Sequence, residues 1–403
     1  MKTIAKLSLI AVVITTLLFS CKKADATSSA EEARETSITA TEDRAETESS
    51  GDSYSETEIQ QQIQAGQITA GEWNDLSNWA FWESLNANSE FAEMSNYWKY
   101  RLNDRVSVNI KYDSENLTDV PVSLINAQNE IVWSSRTNNK GNAEFWPHLK
   151  DGNQSNQQNL KIKIGDEIFK NIQTYTDKKV NRLVLQNYNA KNTEKKIDIA
   201  FMVDATGSMG DELEYLKKEL TDVISKVKNK NQDVAINMGA VFYRDKGEDY
   251  VTKISDFSND IDDTVDFIKE QSAEDGGDFP EAVETALDKS INDLEWSEDA
   301  TSRILFLVLD APPHYDDQII SEIHDLIATA SKKGIRIIPI TASGIDKETE
   351  FLMRYMAIAT NGTYVFITND SGIGNDHLVA SVGNYQVEHL NKLMVRLINE
   401  TIK

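Results

Sequence analysis

The stretch Ile197-Asp-Ile-Ala-Phe-Met-Val-Asp204-Ala-Thr206-Gly-Ser208-Met-Gly210 decides the fold of the second half of this 403-residue chain. Its mostly apolar first seven residues predict a strand that is buried on both faces, and leucines at helical spacing begin at Leu213. Between strand and helix, Asp204, Thr206 and Ser208 are spaced two apart, so an extended loop projects them to one side. Gly207 and Gly210 are expected to let this loop turn tightly.

The same alternation of strand and helix patterns continues to the end of the chain. Strands are predicted at 234–242, 251–254, 304–309, 335–340 and 363–367, and helices at 213–227, 260–270, 280–294, 323–330, 348–360 and 387–402. Alternating strands and helices form a parallel sheet covered on both faces. Residues 195–403 are therefore predicted to be an α/β doubly wound, Rossmann-like domain.

Two more loops bring oxygen-bearing side chains to the carboxyl edge of this predicted sheet. They are Asp275-Gly-Gly-Asp278 and Leu309-Asp310, and the five candidate metal ligands are Asp204, Thr206, Ser208, Asp278 and Asp310. A set of carboxylates and hydroxyls suits Mg²⁺, with Mn²⁺ or Ca²⁺ as alternatives, and does not suit zinc. The same residue types are also common in helix caps and turns. Three such loops on strand ends favour a divalent-cation site in the usual place for an open α/β sheet.

The motifs Asp-x-Thr-Gly-Ser-Met, Gly-Gly-Asp-x-Pro-Glu and a strand-terminal Asp, in this order, resemble the von Willebrand factor type A (VWA) domain and its metal-ion-dependent adhesion site. The resemblance implies that the ion keeps one coordination position for an acidic side chain of a protein partner. Asp278 stands where the family commonly has Thr. A third carboxylate is expected to strengthen cation binding and to weaken the binding of an acidic partner.

The residues Tyr243-Arg244-Asp245, after the second predicted strand, resemble a subfamily of this domain. Tyr243, Arg244, Asp245 and Asp275 are interpreted as residues that either support the metal ligands or line the surface that faces the partner. Asp245 could equally be a capping residue.

The predicted function is non-catalytic: adhesion or complex assembly through the cation. A metal-assisted hydrolase is the alternative, with Ser208 as nucleophile and His314 or His377 as base. However, Thr206 occupies the position where a nucleophile elbow needs Gly. An envelope scaffold that uses the same site is a further alternative.

The N-terminus has the pattern of an export signal. Lys2 and Lys6 precede a short apolar stretch, and Leu18-Phe19-Ser20-Cys21 resembles the lipobox of bacterial lipoproteins. We therefore expect a signal peptide at 1–20, lipidation of Cys21 and a lipid-anchored protein of the bacterial cell envelope. An uncleaved N-terminal anchor is the alternative. Residues 21–67, rich in Ala, Ser, Thr, Glu and Gln, are predicted to be a disordered tether.

Residues 68–190 are predicted to be a Trp-rich segment followed by a small β-sandwich. Trp79 and Trp82 lie on one helical stripe, which is expected to pack against the next domain. Short alternating strands separated by Asn, Gly and Asp turns follow. The runs 120–124, 132–133 and 137–145 resemble the carboxypeptidase-regulatory, transthyretin-like sandwich, which implies a spacer or contact module.

Composition excludes several classes of function. With 41 Lys and Arg against 66 Asp and Glu, the formal charge of −25 argues against nucleic acid or anionic lipid as the partner. The single cysteine excludes an internal disulfide and a cysteine-based zinc site.

Overall fold

The computed structural model describes residues 63–102, 104–149, 159–174, 179–189, 195–276 and 279–402. The predicted signal peptide, the lipidation of Cys21 and the tether up to residue 62 lie outside the described residues, and so does Asp278. The last predicted tether residues are described. The backbone N–H groups of Gly66 and Gln67 donate to the buried Glu219 carboxylate at 2.8 and 3.0 Å, so this end of the segment is fixed to the folded part.

Between residues 63 and 189, the described residues form short strands and two helices. They are β1 (Thr69–Trp73), α1 (Trp79–Asn86), α2 (Ser89–Tyr97), β2 (Val106–Tyr112), β3 (Glu115–Asn116), β4 (Pro121–Ile125), β5 (Ile131–Arg136), β6 (Asn142–Phe145), β7 (Lys161–Ile164), β8 (Glu167–Phe169) and β9 (Asn181–Leu185).

After residue 195 longer strands alternate with helices. They are β10 (Lys196–Asp204), α3 (Gly210–Lys230), β11 (Ala235–Tyr243), β12 (Thr252–Ser258), α4 (Ile261–Lys269), α5 (Val283–Asp288), β13 (Ser302–Leu309), α6 (Asp317–Lys333), β14 (Ile335–Thr341), α7 (Lys347–Ala359), β15 (Tyr364–Ile367), β16 (Val387–His389) and α8 (Leu390–Ile402).

The described residues build one large sheet in the order β12-β11-β10-β13-β14-β15-β1-β16. Strands β11, β10, β13, β14 and β15 are parallel, as the alternating pattern predicts. The sheet is nevertheless mixed, because β12 pairs antiparallel with β11 and β1 pairs antiparallel with β15. The fold is therefore the predicted Rossmann-like α/β domain with antiparallel strands added at both sides.

Two sequence-based boundaries need correction. The Trp-rich segment is predicted to begin at residue 68, but residues 69–73 form β1, which lies inside the large sheet between β15 and β16. The last helix was expected from Val387, yet residues 387–389 form β16 against β1, and the helix starts at Leu390. Both short strands depend on a partner that is distant in sequence, which a local pattern does not reveal.

The predicted β-sandwich is present between residues 106 and 185. In the described part of the chain its two sheets have the orders β3-β2-β6, with β9 on β2, and β5-β4-β7-β8. Strand β5 packs on α6, where the Trp133 Nε1 donates to Ser331 Oγ at 3.1 Å.

The core has two parts, one on each face of the large sheet. On one face, the apolar cluster runs without a break from the Trp-rich segment through the sandwich to α6 and α7. Trp82 stacks on Phe351 of α7 at 5.5 Å between ring centroids, so the prediction that the tryptophans pack against the next domain is confirmed. On the other face, α3, α4 and α8 cover the sheet. Within the described ranges, no helix has the length and apolarity needed to cross a membrane.

Candidate metal centre

Strand register places the first and third predicted loops side by side. Strands β10 and β13 are parallel neighbours, with Val203 paired to Val308, so Asp204 and Asp310 both follow at the carboxyl edge of the sheet. Asp204 is fully buried and Asp310 is 5% exposed. The sheet therefore holds two carboxylates close together at its edge.

Hydrogen bonds fix the first loop around Asp204. Its Oδ1 accepts from the Thr206 backbone N at 2.9 Å and from Thr206 Oγ1 at 2.7 Å. The Thr206 and Ser208 hydroxyl oxygens are 3.1 Å apart. Thr206 is buried, whereas Ser208 is exposed to solvent. The loop thus presents one carboxylate and two hydroxyls at a single point.

The loop requires glycine at position 207 because of a close contact, whereas the sequence predicts that this glycine allows a tight turn. A Cβ atom at this position would collide with the backbone oxygen of Asp275, which accepts the Gly207 N–H at 3.1 Å. Gly210 has open space around it and a helical φ of −55°. Close approach of the second loop, rather than backbone freedom, therefore requires Gly207.

The site has two buried carboxylate oxygens without hydrogen-bond partners among the described residues, Asp204 Oδ2 and Asp310 Oδ1. Burial raises the pKa of Asp204 to about 6. Burial, followed by the charge of Asp204, raises the pKa of Asp310 to about 7. Two neighbouring carboxylates with raised pKa values form a site with excess negative charge.

Glu281 is a residue that the sequence analysis did not single out. It is 2% exposed, and its Oε2 has no partner among the described residues. Burial, followed by repulsion from Asp204, Asp245, Glu248 and Asp310, raises its pKa to about 9. Its backbone N donates to Pro312 O at 2.9 Å, which ties the second loop to the third. The motif Gly-Gly-Asp-x-Pro-Glu ends on Glu281, so the sequence already contained the pattern that could have identified this residue.

Four more residues, Tyr243, Arg244, Asp245 and Asp275, are predicted to support the metal ligands or to face the partner. Tyr243 is fully buried, and burial raises its pKa well above the usual value. Arg244 is also buried, with its Nε donating to Ala205 O at 3.1 Å and its Nη1 to Asp275 Oδ2 at 2.8 Å. Arg244 thereby fastens the first loop to the second. Asp275 has a φ of 62°, and its side chain is 44% exposed.

The two histidines considered as bases are bound to carboxylates. His314 Nε2 lies 2.6 Å from Asp245 Oδ1. His377 is buried, with Nε2 2.8 Å from Glu212 Oε1 and Nδ1 2.9 Å from Asn369 Oδ1. Both ring nitrogens of His377 are thus engaged, and Asp245 holds His314 rather than capping a helix.

The donor set fits a hard divalent cation. Within the described ranges, no three His, Cys, Asp or Glu side chains are grouped to hold a metal ion. This agrees with a site that takes two of its donors from the hydroxyls of Thr206 and Ser208, and whose candidate Asp278 lies outside those ranges. Unpartnered carboxylate oxygens beside hydroxyls offer what Mg²⁺, Mn²⁺ or Ca²⁺ requires.

Two curated proteins share a segment with this chain. An ariadne-like RING finger protein of Acanthamoeba polyphaga mimivirus is 34% identical over 137 residues, which are 33% of this chain and 13% of that protein. The alpha-protein kinase vwkA of Dictyostelium discoideum is 28% identical over 137 residues, 34% of this chain and 22% of the kinase. The chain thus spans less than a quarter of the length of these relatives.

Among solved structures, the conserved hypothetical protein BatB from Bacteroides thetaiotaomicron is similar to this chain with 14% identity and a TM-score of 0.34. The similarity covers 51% of this chain and 98% of that one. The family model of the von Willebrand factor type A domain matches residues 198–376, the segment that contains all the loops described above. Residues 198–376 of this chain therefore form a von Willebrand factor type A domain.

Proposed function

We propose that this protein binds a protein partner through a divalent cation held at the carboxyl edge of its VWA domain. Asp204, Thr206, Ser208 and Asp310 would hold the ion, with Asp278 as a further carboxylate. The observation that carries the proposal is the pair of buried, unpartnered oxygens Asp204 Oδ2 and Asp310 Oδ1. A bound cation would supply the charge that these oxygens lack, and it would leave a coordination position for an acidic side chain of the partner.

Mg²⁺ is the proposed ion, with Mn²⁺ and Ca²⁺ as alternatives, because every donor is an oxygen. VWA domains are generally interaction modules without catalytic activity. The proposed role is accordingly adhesion or complex assembly. No specific observation at Ser208 or the two histidines favours the hydrolase alternative.

We further propose that Cys21 carries a lipid and that the protein works at the bacterial cell envelope. The support is the lipobox-like sequence before Cys21 and the long polar segment that separates it from the folded part. Metabolic labelling with a palmitate analogue, compared between the wild type and Cys21→Ser, tests this separately from metal binding. Equal labelling of both proteins would contradict the anchor.

Calorimetric titration with MgCl₂, MnCl₂ and CaCl₂ tests the cation site. We expect saturable binding to the wild type and its loss in Asp204→Ala. Asp256→Ala is the matched control, because it removes an exposed carboxylate of the same domain. A wild type that binds none of the three cations, or an Asp204→Ala protein that binds as well as the wild type, would contradict the proposal.

The partner interaction is tested by capture from envelope extract on immobilised protein. We expect specific proteins to be retained with Mg²⁺, released by EDTA and not retained by Asp204→Ala. Free acetate or glutamate in excess should compete, because a small carboxylate can occupy the same coordination position. Retention that is unaffected by EDTA would argue for a scaffold that does not use the ion.

A further inference from the structure

The chain between strands β15 and β16 places one histidine against helix α3, which follows the loop of Asp204, Thr206 and Ser208. Residues 369–386 are all described, and His377 alone among them is buried, with a side chain 3% exposed. Its Nε2 lies 2.8 Å from Oε1 of Glu212, in the first turn of α3. Gly374 packs so closely on the same carboxylate that a Cβ atom there would collide with it. This part of the segment is therefore fitted to Glu212.

Hydrogen bonds fix the protonation of the His377 ring. The backbone N–H of His377 donates to Asn369 Oδ1 at 2.9 Å, so this atom must be the amide oxygen. Nδ1 of the ring lies 2.9 Å from the same oxygen and must therefore donate a proton to it. Glu212 Oε1 also accepts from the Ser343 backbone N at 3.2 Å, as a carboxylate oxygen does. With a proton on Nε2 as well, the ring is an imidazolium that forms a buried ion pair with Glu212.

The protonated ring is the counterion of Glu212, which is 1% exposed. Within the described ranges, no lysine or arginine forms an ion pair with Glu212, and Arg354 of helix α7 is engaged by Asp75 and Glu350. Further charged side chains near the pair are acidic: Asp370 and Asp376 on the segment, Asp211 on α3 and Asp310 after β13. Loss of the ring proton would therefore leave a buried carboxylate uncompensated, which destabilises the contact.

Helix α7 holds the far end of the segment independently of this pair. The backbone N of Ser381 donates to Glu350 Oε1 at 2.7 Å, and the backbone O of Ser381 accepts from Arg354 Nη1 at 2.8 Å. Closer to His377, a further hydrogen bond to α3 comes from the exposed Asn375. The part of the segment before Ser381 therefore depends mainly on His377 for its contact with α3.

We propose that residues 369–380 form a pH-sensitive strap, which the doubly protonated ring of His377 closes onto α3. When the ring loses one proton, it can no longer donate to both Asn369 and Glu212, so the strap opens. The ion pair thus stabilises the closed strap at low pH, and this stabilisation is lost as the pH rises. Glu212 follows the candidate ligand Ser208 by four residues. The strap therefore borders the candidate metal centre, but it needs no bound cation to open or close.

NMR of the full chain in EDTA, with ¹⁵N-labelled histidine and backbone, tests the proposal. The range from about pH 5 to about pH 8 is the one in which histidine ordinarily changes charge. We expect both ring nitrogens of His377 to carry protons at the acidic end and one of them to be bare at the alkaline end. Over the same range, exchange of the His377 backbone N–H, which Asn369 holds, should become roughly tenfold faster than the intrinsic effect of pH explains.

The variant His377→Gln assigns the ring signals and removes the titrating group, so the extra exchange at residue 377 should no longer depend on pH. The control His148→Gln removes a histidine that lies beside Asp104, and it should keep the pH dependence.

Three results would each overturn the proposal: a bare ring nitrogen on His377 at the acidic end, exchange that stays constant while the ring titrates, or a pH dependence that persists in His377→Gln. The first two are read on the wild type, so they decide the matter even if the variant fails to fold. Both readouts are taken without a cation, so they do not depend on whether the domain binds one.

Discussion

At the scale of single residues, the carboxylates that are proposed to bind the cation lower the stability of the metal-free protein. Asp204 and Asp310 are buried beside each other, and each keeps one oxygen without a partner among the described residues. Burying like charges in this way destabilises a fold until a cation joins them. Replacing a ligand should therefore stabilise the metal-free protein while it removes the binding.

The Asp310→Asn substitution tests whether a ligand carboxylate lowers the stability of the metal-free protein. We expect the unfolding free energy in EDTA at pH 8 to rise by about 1–2 kcal/mol, because a neutral amide replaces a carboxylate with a raised pKa. The stabilisation of the wild type by Mg²⁺ should be lost in the variant. Urea unfolding with and without Mg²⁺ measures both effects, and a variant that is less stable in EDTA would count against the electrostatic argument.

A third carboxylate is predicted to contact the ion beside Asp204 and Asp310. The sequence points to Asp278, and the substitution Asp278→Thr tests its role. If Asp278 contacts the ion, Asp278→Thr should weaken cation binding and strengthen the binding of an acidic partner, since the metal becomes more electrophilic. Titrations with Mg²⁺ and then with a captured partner measure this, and weaker partner binding after Asp278→Thr would contradict the expectation.

Gly207 provides a packing test of the same loop. The added methyl group of Gly207→Ala would collide with the Asp275 carbonyl, so we expect a loss of about 1–3 kcal/mol of stability and weaker cation binding. Gly210→Ala is the matched control, because its Cβ meets open space at the start of a helix and should be neutral or slightly stabilising. Equal effects of the two substitutions in thermal unfolding would show that loop contact does not matter.

At the scale of elements, strand β1 depends on a carboxylate in helix α3. Glu219 accepts the backbone N–H groups of Gly66, Gln67 and Ile68, just before β1 enters the sheet. Burial raises the pKa of Glu219, and these three hydrogen bonds act against that rise. The Glu219 carboxylate is therefore well hydrogen-bonded, but burying its negative charge costs free energy.

The pH dependence of stability follows from this pKa. A carboxyl group whose pKa is higher in the folded state stabilises the fold fully below its unfolded pKa, which is 4.5 for Glu219. This stabilisation is lost as the pH rises through the pKa of the folded state. The wild type should therefore lose stability relative to Glu219→Gln as the pH rises above 4.5. Urea unfolding between pH 4 and 8 measures the difference. The exposed control Glu270→Gln should show little change, and a difference that grows in favour of the wild type would contradict the sign.

At the scale of the whole molecule, the two regions distinguished by sequence belong to one compact unit. Arg354 of helix α7 is fully buried and donates to Asp75 through Nε and Nη2 at 2.9 and 2.6 Å. Its guanidinium also lies 5.1 Å from the ring of Trp82. The Trp-rich segment therefore belongs to the core of the VWA domain as much as to the sandwich.

Calorimetry should accordingly show a single unfolding transition for residues 63–403. Asp75→Ala leaves the buried Arg354 without this carboxylate and should cost about 3–5 kcal/mol, lowering the midpoint of the whole transition. The surface substitution Asp262→Ala is the control, because Asp262 is exposed. Two separate transitions, with only one of them moved by Asp75→Ala, would show that the regions unfold independently.

The sequence alone was enough to predict the parallel part of the sheet, the helices between its strands, the β-sandwich and the VWA resemblance. These follow from local patterns, because periodicity reports which face of an element is buried. The same holds for Asp204, Thr206, Ser208 and Asp310, whose positions after predicted strands place them at one edge.

Only the tertiary structure decided which distant segments complete these elements. Strand β1 enters the sheet between β15 and β16, Glu281 is buried where the charges of Asp204 and Asp310 act on it, and Asp119 of the sandwich forms an ion pair with Arg303 of the VWA domain. Each depends on contacts between residues far apart in the chain. A periodic pattern records burial within one element, but it carries no information on which other element supplies the contact.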